Sequence, residues 1–592
     1  MRVISCNTAV LGAGCAGLNA ADELKKAGVD VMLFCDGLRN GTSFNAGSDK
    51  QTYYKLGLDD STDGMARALY HGGATHGDHA KVMAALSARC FYKLVHLGVP
   101  FPHNEWGEYV GYRTDHDESF RATSCGPLTS RDMGEALLKS VLERKVPVVE
   151  GVLPVALLDG GLMLANDAGE ILLVNAVNIV IATGSPALIY GNTVYPAQQL
   201  GATGIALRKG ARASNLCYWQ YGLASVSVRW NVSGSYQQAI PDYVDEDGAR
   251  ILPEEDRLDR VFLKGYQWPF DARKKNGSSR VDLAVREATQ RGKRVFLEYR
   301  RVDASVPERI SGEAKVYLEN CGATGASAIE RLRAINESAY RFYHDRGIDL
   351  AKEPLEIALC AQHCNGGLRV DGWWRTDIPN VYACGEAAGA FGVTRPGGSA
   401  LNETQVASLR AAQHISAHAG RAVPPCEDDF LRKNAVVIHE EESWLARAKE
   451  GGGSEDWDAA HLMREAQREM DGAAGAVRDI CGMETALQHT QQRQKRIGQK
   501  PKQAQSIRQS ILLRDLLAVQ RATLFAMLLE AKEDTARTHM VAGEAESSEK
   551  IAERAVLSDL SGARFEPVRP IPEGDRWFET VWKKHREGVV FG

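Results

Sequence analysis

The sequence predicts an α/β fold, and three observations near its N-terminus support that prediction. An apolar run at residues 8–11 leads directly into the motif GAGCAG at residues 12–17. A helix-like stretch over 18–27 stops at Gly28, and a second apolar run covers 29–34. A strand, a glycine turn, a helix and a second strand therefore follow one another within the first 36 residues. This order is typical of a dinucleotide-binding unit.

The three glycines of the motif have separate tasks. Gly12 makes the tight turn, Gly14 lets a pyrophosphate approach the backbone, and Gly17 lets the helix pack close to the sheet. The helix N-terminus then presents unpaired N–H groups to the phosphates. An acidic residue is expected at the end of the second strand, where it would bind the ribose hydroxyls. That place falls on Cys35, so we expect Asp36 to reach the ribose through a one-residue shift.

A later strand identifies the kind of dinucleotide. Short strand-like runs fill residues 146–181, and the last of them enters the sequence Ala-Thr-Gly at 182–184. A strand ending in Ala-Thr-Gly, well after a glycine motif, is typical of two-dinucleotide-binding-type flavoproteins. We therefore predict FAD rather than NAD as the cofactor, with Thr183 and Gly184 beside it.

Changes in composition and in the pattern of predicted strands and helices divide the chain into four segments. Residues 210–350 are rich in aromatic residues and arginine, which indicates an inserted α+β substrate or capping domain. The strand-like pattern returns over 351–425, so 1–209 and 351–425 are predicted to form two parts of one FAD-binding domain. Residues 426–592 are charged and helical, and prolines at 567, 570 and 572 mark an extended tail.

The bulk composition excludes several classes of function. The 592 residues, 44% of them hydrophobic, are enough for two or three domains. A net charge of -5, from 71 basic and 76 acidic residues, argues against nucleic acid as a partner and against a flavin-bound RNA-modifying protein. The longest apolar runs are far short of the ~18 to 20 residues of a membrane span, so we expect no direct membrane insertion.

Two further expectations concern location and metals. The first strand starts almost at Met1, which leaves no room for a signal peptide and predicts a cytoplasmic location. The 12 cysteines include no CxxC pair, so we expect no metal or iron–sulfur site within this chain.

Further landmarks follow in one order: NAGS at 45–48, Gly-Glu at 385–386 and Ser-Ala-Leu at 399–401. With them, most of residues 5–540 resembles the flavoprotein subunits of succinate dehydrogenase and fumarate reductase, together with L-aspartate oxidase and related enoate reductases. The resemblance implies that one loop lies beside the flavin, that an acid binds the cofactor's sugar chain, and that backbone N–H groups face the flavin pyrimidine. The residues at these positions are Asn45, Gly47 and Ser48, then Glu386, then Ser399, Ala400 and Leu401.

The resemblance also bears on how FAD is attached. In the membrane respiratory members of this family, the loop beside the flavin carries a histidine bonded covalently to FAD. Here no histidine lies between Asp36 and Tyr70, so we expect noncovalent FAD.

Three residues resemble the family's active site. His363, shortly before Gly366-Gly367, looks like the substrate histidine, and Arg395 in TRPGG at 394–398 looks like the carboxylate-binding arginine. A planar guanidinium binds a carboxylate through two parallel hydrogen bonds. Arg280 in SRVD at 279–282 looks like the proton-delivering arginine. Because arginine is a poor acid, Arg280 would need a relay to recharge it.

One departure from the family concerns the substrate. The family's Gln-Phe-His-Pro-Thr run, whose histidine helps to hold the second carboxylate of fumarate or succinate, is matched here by QYGLA at 220–224. Gly222 removes that cationic donor and is expected to leave space for a larger or less charged group. We expect Gln220 to contact substrate. Trp219 and Tyr221 either line the enlarged pocket or pack in an aromatic core.

The leading interpretation is a soluble FAD-dependent oxidoreductase that reduces or forms a C=C bond next to a carboxylate or carbonyl. Hydride would pass through flavin N5 and the proton through Arg280, with a small-molecule substrate other than fumarate or succinate. Two alternatives stay open. One is an amino-acid oxidase similar to L-aspartate oxidase. The other is a flavoprotein component of an electron-transfer complex, with an iron–sulfur partner or a second copy docking on the helical C-terminal region.

Overall fold

The computed structural model describes residues 2–114, 117–197, 199, 201–310, 312–532, 538–542, 553–573, 583–584 and 587. Its largest sheet has seven strands. In spatial order, six of them are Val148–Val149, Val31–Phe34, Arg2–Leu11, Ile171–Ile181, Gly161–Ala165 and Leu153–Leu158. The seventh, Val381–Ala383, also pairs with Ile171–Ile181.

The parallel half of this sheet positions a ligand site. Leu11 is in register with Phe34 on one side and with Ile181 on the other, and all three residues end their strands. Their carboxyl ends therefore meet at one edge, which is where open α/β sheets bind ligands. The helix Cys15–Lys26 starts at this edge and buries most of one face against the sheet. The α/β prediction and the order of the first four elements are confirmed.

Helices cover the sheet, and a small antiparallel sheet stands beside it. The helices are Cys15–Lys26, Thr42–Asn45, Thr62–Tyr70, Gly77–His96, Thr129–Glu143, Thr203–Arg208 and Ser399–His418, with single 3₁₀ turns at Ala187–Ile189 and Gly385–Ala387. The small sheet is formed by Tyr53–Tyr54, Asp117–Thr123 and Tyr112–Thr114. The short helix Thr42–Asn45 leads into the loop expected beside the flavin.

The inserted segment is built on a five-stranded antiparallel sheet. Its spatial order is Trp230–Asn231, Trp219–Ser225, Leu355–Cys364, Val295–Glu298 and Asp242–Asp245. Its central strand lies beyond residue 350, past the boundary expected from the sequence, and ends next to the main sheet. The surrounding helices are Ser235–Gln238, Asp259–Lys264, Ser279–Gln290, Val306–Arg309, Gly312–Asn320 and Ala328–His344, with 3₁₀ turns at Glu254–Asp256 and Ala272–Lys274.

The C-terminal region contains the helices Glu427–Glu450, Ala459–Ala473, Ile480–Ile497 and Ile507–Glu530. The last of these is buried along most of its length, which makes it a core helix. A short parallel pair joins Val477–Arg478 and Met540–Val541. Residues 554–567, before the prolines at 570 and 572, form a hairpin in a four-stranded sheet, whose order is Gly367–Leu368, Ala213–Ser214, Arg554–Ser558 and Ala563–Pro567.

Two features are absent from the described residues. No helix among them is both long and apolar enough to cross a membrane. The same residues contain no group of three or more His, Cys, Asp or Glu side chains arranged to hold a metal ion.

Candidate active site

A cavity of about 600 Å³ opens at the carboxyl edge of the main sheet and continues to the five-stranded sheet. Most of the predicted cofactor-binding and catalytic residues line it. They are Gly12, Gly14, Asp36, Gly47, Ser48, Thr183, Gly184, His363, Glu386, Arg395, Ala400 and Leu401, with Gln220 at the inserted segment. A single cavity therefore joins the glycine motif to the predicted substrate residues.

The glycine motif forms a cradle with no room for side chains. A Cβ at Gly12, which has a φ of +107°, would lie 2.4 Å from the carbonyl oxygen of Ala182. A Cβ at Gly17 would lie 1.9 Å from the carbonyl oxygen of Gly12, so Gly17 permits close packing without lining the cavity. Gly14 precedes the helix Cys15–Lys26 and supplies no side-chain cap. The Ser43 hydroxyl accepts a hydrogen bond from the Cys15 N–H at 3.1 Å. The dipole and the following N–H groups at this helix start are suited to a pyrophosphate.

Asp36 is at the cavity but already has partners. Its carboxylate forms an ion pair with Arg508 and accepts a hydrogen bond from the Asn40 side chain at 3.1 Å. Arg508 comes from the C-terminal helix Ile507–Glu530, so this helix braces the site predicted for the ribose. Ribose binding by Asp36 stays a prediction.

The loop expected beside the flavin is only partly directed into the cavity. Gly47 and Ser48 line it, and a Cβ at Gly47 would lie 2.3 Å from the carbonyl oxygen of Pro127. The Asn45 side chain instead donates hydrogen bonds to the carbonyl oxygens of Arg39 and Gly41, which fixes the loop itself. Asn45 is therefore a loop-stabilising residue and does not line the cavity.

The N-terminus of the helix Ser399–His418 also points to the cavity. Gly398, with a φ of +85°, turns the chain into this helix, and no side chain caps it. Ala400 and Leu401 line the cavity. The Ser399 hydroxyl is buried and donates to the carbonyl oxygen of Pro396 at 2.7 Å. The Ser399 and Leu401 N–H groups donate to the carbonyl oxygens of Pro396 and Gly398, but the positive end of the helix dipole faces the cavity and can stabilise negative charge on a reduced flavin.

His363 and Arg395 meet inside the cavity. Arg395 Nε lies 3.2 Å from His363 Nδ1, and Asn365 Oδ1 lies 3.0 Å from the same nitrogen. Burial lowers the pKa of His363 well below its usual value, and the charge of Arg395 lowers it further. The His363 side chain is therefore a neutral ring beside a permanent cation, an arrangement suited to holding one carboxylate.

Glu386 stands on the other side of His363. Its Oε1 atom accepts hydrogen bonds from the Cys364 backbone N–H at 2.9 Å and from the Tyr195 hydroxyl, and lies 3.6 Å from His363 Nε2. Burial raises the pKa of Glu386 to about 7. Glu386 lines the cavity, which is consistent with a residue near the cofactor. Its nearest neighbours, however, include His363, which is predicted to bind substrate.

One part of the cavity wall carries no charged side chain. Gln362 Oε1 accepts hydrogen bonds from Trp268 Nε1 at 2.7 Å and from Asn231 Nδ2 at 2.9 Å. These three residues and Gln220 line the cavity. Gln362, Trp268 and Asn231 are not among the site residues predicted from the sequence.

The space expected beside Gly222 does not exist, so that prediction is wrong. A Cβ on Gly222 would lie 2.8 Å from the Trp268 ring and 3.0 Å from Gln362 Nε2. The indole of Trp268 therefore fills the volume that the missing side chain leaves. What replaces the family's histidine is an aromatic and amide wall rather than open room.

Trp219 and Tyr221 belong to the core, which was the second of the two expectations for them. Trp219 is fully buried and its ring N–H donates to the carbonyl oxygen of Leu216 at 2.9 Å. The Tyr221 hydroxyl hydrogen-bonds with the Tyr190 hydroxyl at 2.9 Å and donates to the carbonyl oxygen of Ala474. Neither residue lines the cavity.

Arg280 is not brought to the cavity, so the expectation that it contacts substrate is wrong for this arrangement. Its side chain is 44% exposed, and Nε lies 2.8 Å from Asp256 Oδ2. The buried carboxylate of Asp256 holds the partly exposed guanidinium of Arg280 at the surface of the inserted segment. This ion pair anchors the Arg280 side chain away from the cavity.

The geometry fits FAD, and comparisons with known proteins agree. The family model described as "FAD binding domain" matches residues 7–401. A chain of the CoM/CoB fumarate reductase of Methanothermobacter marburgensis is 25% identical over 427 residues, covering 69% of this chain and 72% of that protein. L-aspartate oxidase of Bacillus subtilis is 26% identical over 427 residues, covering 69% of this chain and 71% of the oxidase.

Solved structures share the fold. The Sdh1 complex of Mycobacterium smegmatis in the apo form contains a chain with a TM-score of 0.75 and 18% identity, covering 97% of this chain and 96% of that one. The quinol fumarate reductase FrdA of E. coli, solved as a point mutant, has a TM-score of 0.72 and 18% identity, covering 98% of this chain and 99% of that one. At this identity, the likeness establishes the fold.

Proposed function

The chain belongs to the FAD-binding flavoprotein family of fumarate reductases and L-aspartate oxidases, and from that premise we propose that it reduces or forms a C=C bond next to a carboxylate or carbonyl. It is an FAD-dependent oxidoreductase. FAD, when bound, gives or takes a hydride at N5. The residues of this chain bind the acid, orient it, and supply or remove the proton.

The observation that carries the proposal is the pairing of Arg395 with His363 in the same cavity as the glycine cradle. Arg395 offers a cation for one carboxylate, and His363 Nδ1, 3.2 Å away, fixes the direction of the guanidinium. A carboxylate bound there would lie in the cavity that Ala400, at the start of the helix Ser399–His418, also lines.

The neutral wall defines the other end of the substrate. Gln362, Trp268 and Asn231 offer amide and indole groups that are already hydrogen-bonded to one another. A second carboxylate against this wall would be desolvated without a charged partner, which is costly. We therefore propose a substrate with one carboxylate and a neutral remainder, and not fumarate or succinate.

A matched pair of acceptors tests this proposal. Fumarate and monomethyl fumarate share one C=C bond and differ in a single negative charge. With the chemically reduced holoprotein under anaerobic conditions, flavin reoxidation should be roughly ten- to hundredfold more efficient with the monoester, because the missing charged partner costs about 1.5 to 3 kcal/mol. Equal or faster reoxidation by fumarate would contradict the neutral-end assignment.

An oxidase acting on an amino acid is the second candidate, and the likeness to L-aspartate oxidases supports it. L-aspartate would then bleach the oxidised flavin anaerobically, and oxygen would restore the colour. The neutral wall argues against a dicarboxylic amino acid for the reason given above. Faster bleaching by L-aspartate than by any saturated monocarboxylic acid would favour the oxidase.

The electron source is a separate question. One relative is named as one component of a larger fumarate reductase, which supports an iron–sulfur partner or another electron-transfer chain for this protein too. Purification of the tagged protein from its own cells, with an iron assay of the protein that accompanies it, would test that. A lone chain, or a homo-oligomer, that turns over with a soluble donor would contradict it.

A further inference from the structure

The Nδ1 atom of His363 faces two partners that it cannot satisfy together. Asn365 Oδ1 lies 3.0 Å away, and Arg395 Nε lies 3.2 Å away. The Asn365 amide is held in this orientation because its Nδ2 donates to the carbonyl oxygens of Gly392 and Val393. Oδ1 can therefore only accept a hydrogen bond from Nδ1, whereas Arg395 Nε can only donate a hydrogen bond to Nδ1.

The opposite ring nitrogen faces Glu386. Nε2 makes no hydrogen bond within the described part of the chain, although Glu386 Oε1 lies 3.6 Å away. The carboxyl is held by the Cys364 backbone N–H and by Tyr195. Both His363 and Glu386 line the cavity.

These contacts define two states that differ by one proton. When Nδ1 carries a hydrogen and donates to Asn365, Nε2 has a lone pair, and Glu386 must be protonated to donate to it. When Nδ1 accepts from Arg395, Nε2 carries the hydrogen and donates to an ionised Glu386. We propose that His363 and Glu386 act as one unit that takes up and releases a single proton while Nδ1 changes partner between Asn365 and Arg395.

The surroundings of Glu386 place this exchange near neutral pH. Burial raises the pKa of Glu386 to about 7, while Tyr195, the Cys364 backbone, Arg395 and Ser185 oppose the rise. Burial also raises the pKa of Glu403, the other carboxyl in this neighbourhood, to about 8, and the charge of Glu386 adds to that rise. The unit is thus protonated below about pH 7 and deprotonated above it.

The role of this unit in turnover rests on the function proposed above. Reduction of a C=C bond adds one hydride, from reduced FAD, and one proton. The Nδ1 proton of His363 would pass to the substrate carbon while the Glu386 proton moves to Nε2, which gives the state with ionised Glu386. The unit is then recharged from solvent. Glu386 acts through His363, so it is a positioning residue that stores the proton.

Infrared spectroscopy of the holoprotein without substrate tests the exchange. In a titration from pH 9 to 5, wild type should gain a protonated-carboxyl band with a midpoint near 7, and Glu386→Gln should lose that band. His363→Gln should move the midpoint by about one pH unit or more, because the carboxyl loses its ring partner. Asp471→Asn is the matched control, since burial also raises the pKa of Asp471 to about 7. Its band should disappear without moving that of Glu386.

Two outcomes would overturn the proposal. One is the absence of any band between pH 5 and 9 that Glu386→Gln removes, and the other is a Glu386 midpoint that His363→Gln leaves unchanged. Should Glu386→Gln fail to fold, the difference between wild type and His363→Gln carries the same test. Because no substrate is present, failure here is distinct from failure of the proposed reaction, which the acceptor pair tests separately.

Discussion

Replacing Arg395 by alanine is the most direct test of the substrate site. Its guanidinium faces the cavity, 3.2 Å from His363 Nδ1. Removing one partner of a buried charged hydrogen bond costs about 2 to 5 kcal/mol. Because Arg395 is only partly buried, we expect the lower part of this range, about 2 to 3 kcal/mol, which is a roughly 30- to 150-fold loss of kcat/KM.

The assay compares two arginine variants on the better acceptor of the pair fumarate and monomethyl fumarate. Arg280→Ala is the control, because Arg280 lies at the outer face of the inserted segment, paired with Asp256. The Asp256 carboxylate in this pair is buried, but it keeps a second partner in Arg260, so removing the half-exposed Arg280 side chain should leave kcat/KM within about twofold. FAD content, measured by absorbance, should match wild type in both variants.

A second measurement separates charge from shape. Arg395 helps to lower the pKa of His363, so Arg395→Ala should raise that pKa and move any pH profile governed by His363 to higher pH. Arg395→Lys keeps the charge and should leave the profile in place while losing the planar contact. Unchanged kcat/KM in Arg395→Ala with every active acid would refute the carboxylate site. A large loss in Arg280→Ala would restore the role in proton delivery that the sequence suggested.

Four further outcomes are expected. Acid or heat should release FAD from the polypeptide, and flavin that stays with the denatured chain would refute noncovalent binding. Gly17→Ala should abolish FAD binding, because its Cβ would lie 1.9 Å from the Gly12 carbonyl oxygen; an FAD-replete variant would contradict the cradle. Gly222→Ala should lower the free energy of unfolding by about 1 to 3 kcal/mol, since its Cβ meets Trp268 at 2.8 Å; an unchanged denaturation midpoint would mean that space exists there. Burial raises the pKa of Glu403 to about 8, so its contribution to stability should be fully present below about pH 4.5 and be lost as the pH rises to 8; the urea midpoint of Glu403→Gln should fall less than that of wild type over this range.

The cofactor half of the cavity could be predicted from the sequence because its features depend on residues that are close together in the chain. The motif at 12–17 specifies a turn, a helix start and a phosphate cradle within six residues, and the structure places all of them where the pattern indicates. Residues 399–401 begin a helix after a glycine, and that too can be read from neighbouring residues. Such features depend on backbone geometry over one turn, which the order of residues determines.

The substrate half depends on pairings that are distant in sequence. In the five-stranded sheet, Gln220 pairs with His363 but Tyr221 pairs with Ala361, so a bulge leaves Gln362 as an extra residue. The bulge lets the neighbouring residues Gln362 and His363 both line the cavity, although adjacent residues of a regular strand point to opposite faces. No local pattern in the sequence marks this bulge, and it is what turns Gln362 towards Trp268.

In the helix Ser279–Gln290, the face on which each residue lies explains why Arg280 does not reach the cavity. Arg280 and Asp282 are two residues apart, which on a helix turns them to different faces. Arg280 points outward, whereas Asp282 is fully buried and forms an ion pair with Lys264 at 2.6 Å. Lys264 also donates to the carbonyl oxygen of Trp268 at 2.7 Å. The motif that suggested an arginine at the substrate therefore supplies, through Asp282 and Lys264, the support for the indole that fills the space beside Gly222. The inner face of this helix therefore influences substrate selectivity, because it fixes the position of Trp268. The neutral end of the cavity depends on the buried ion pair between Asp282 and Lys264, which lies behind Trp268.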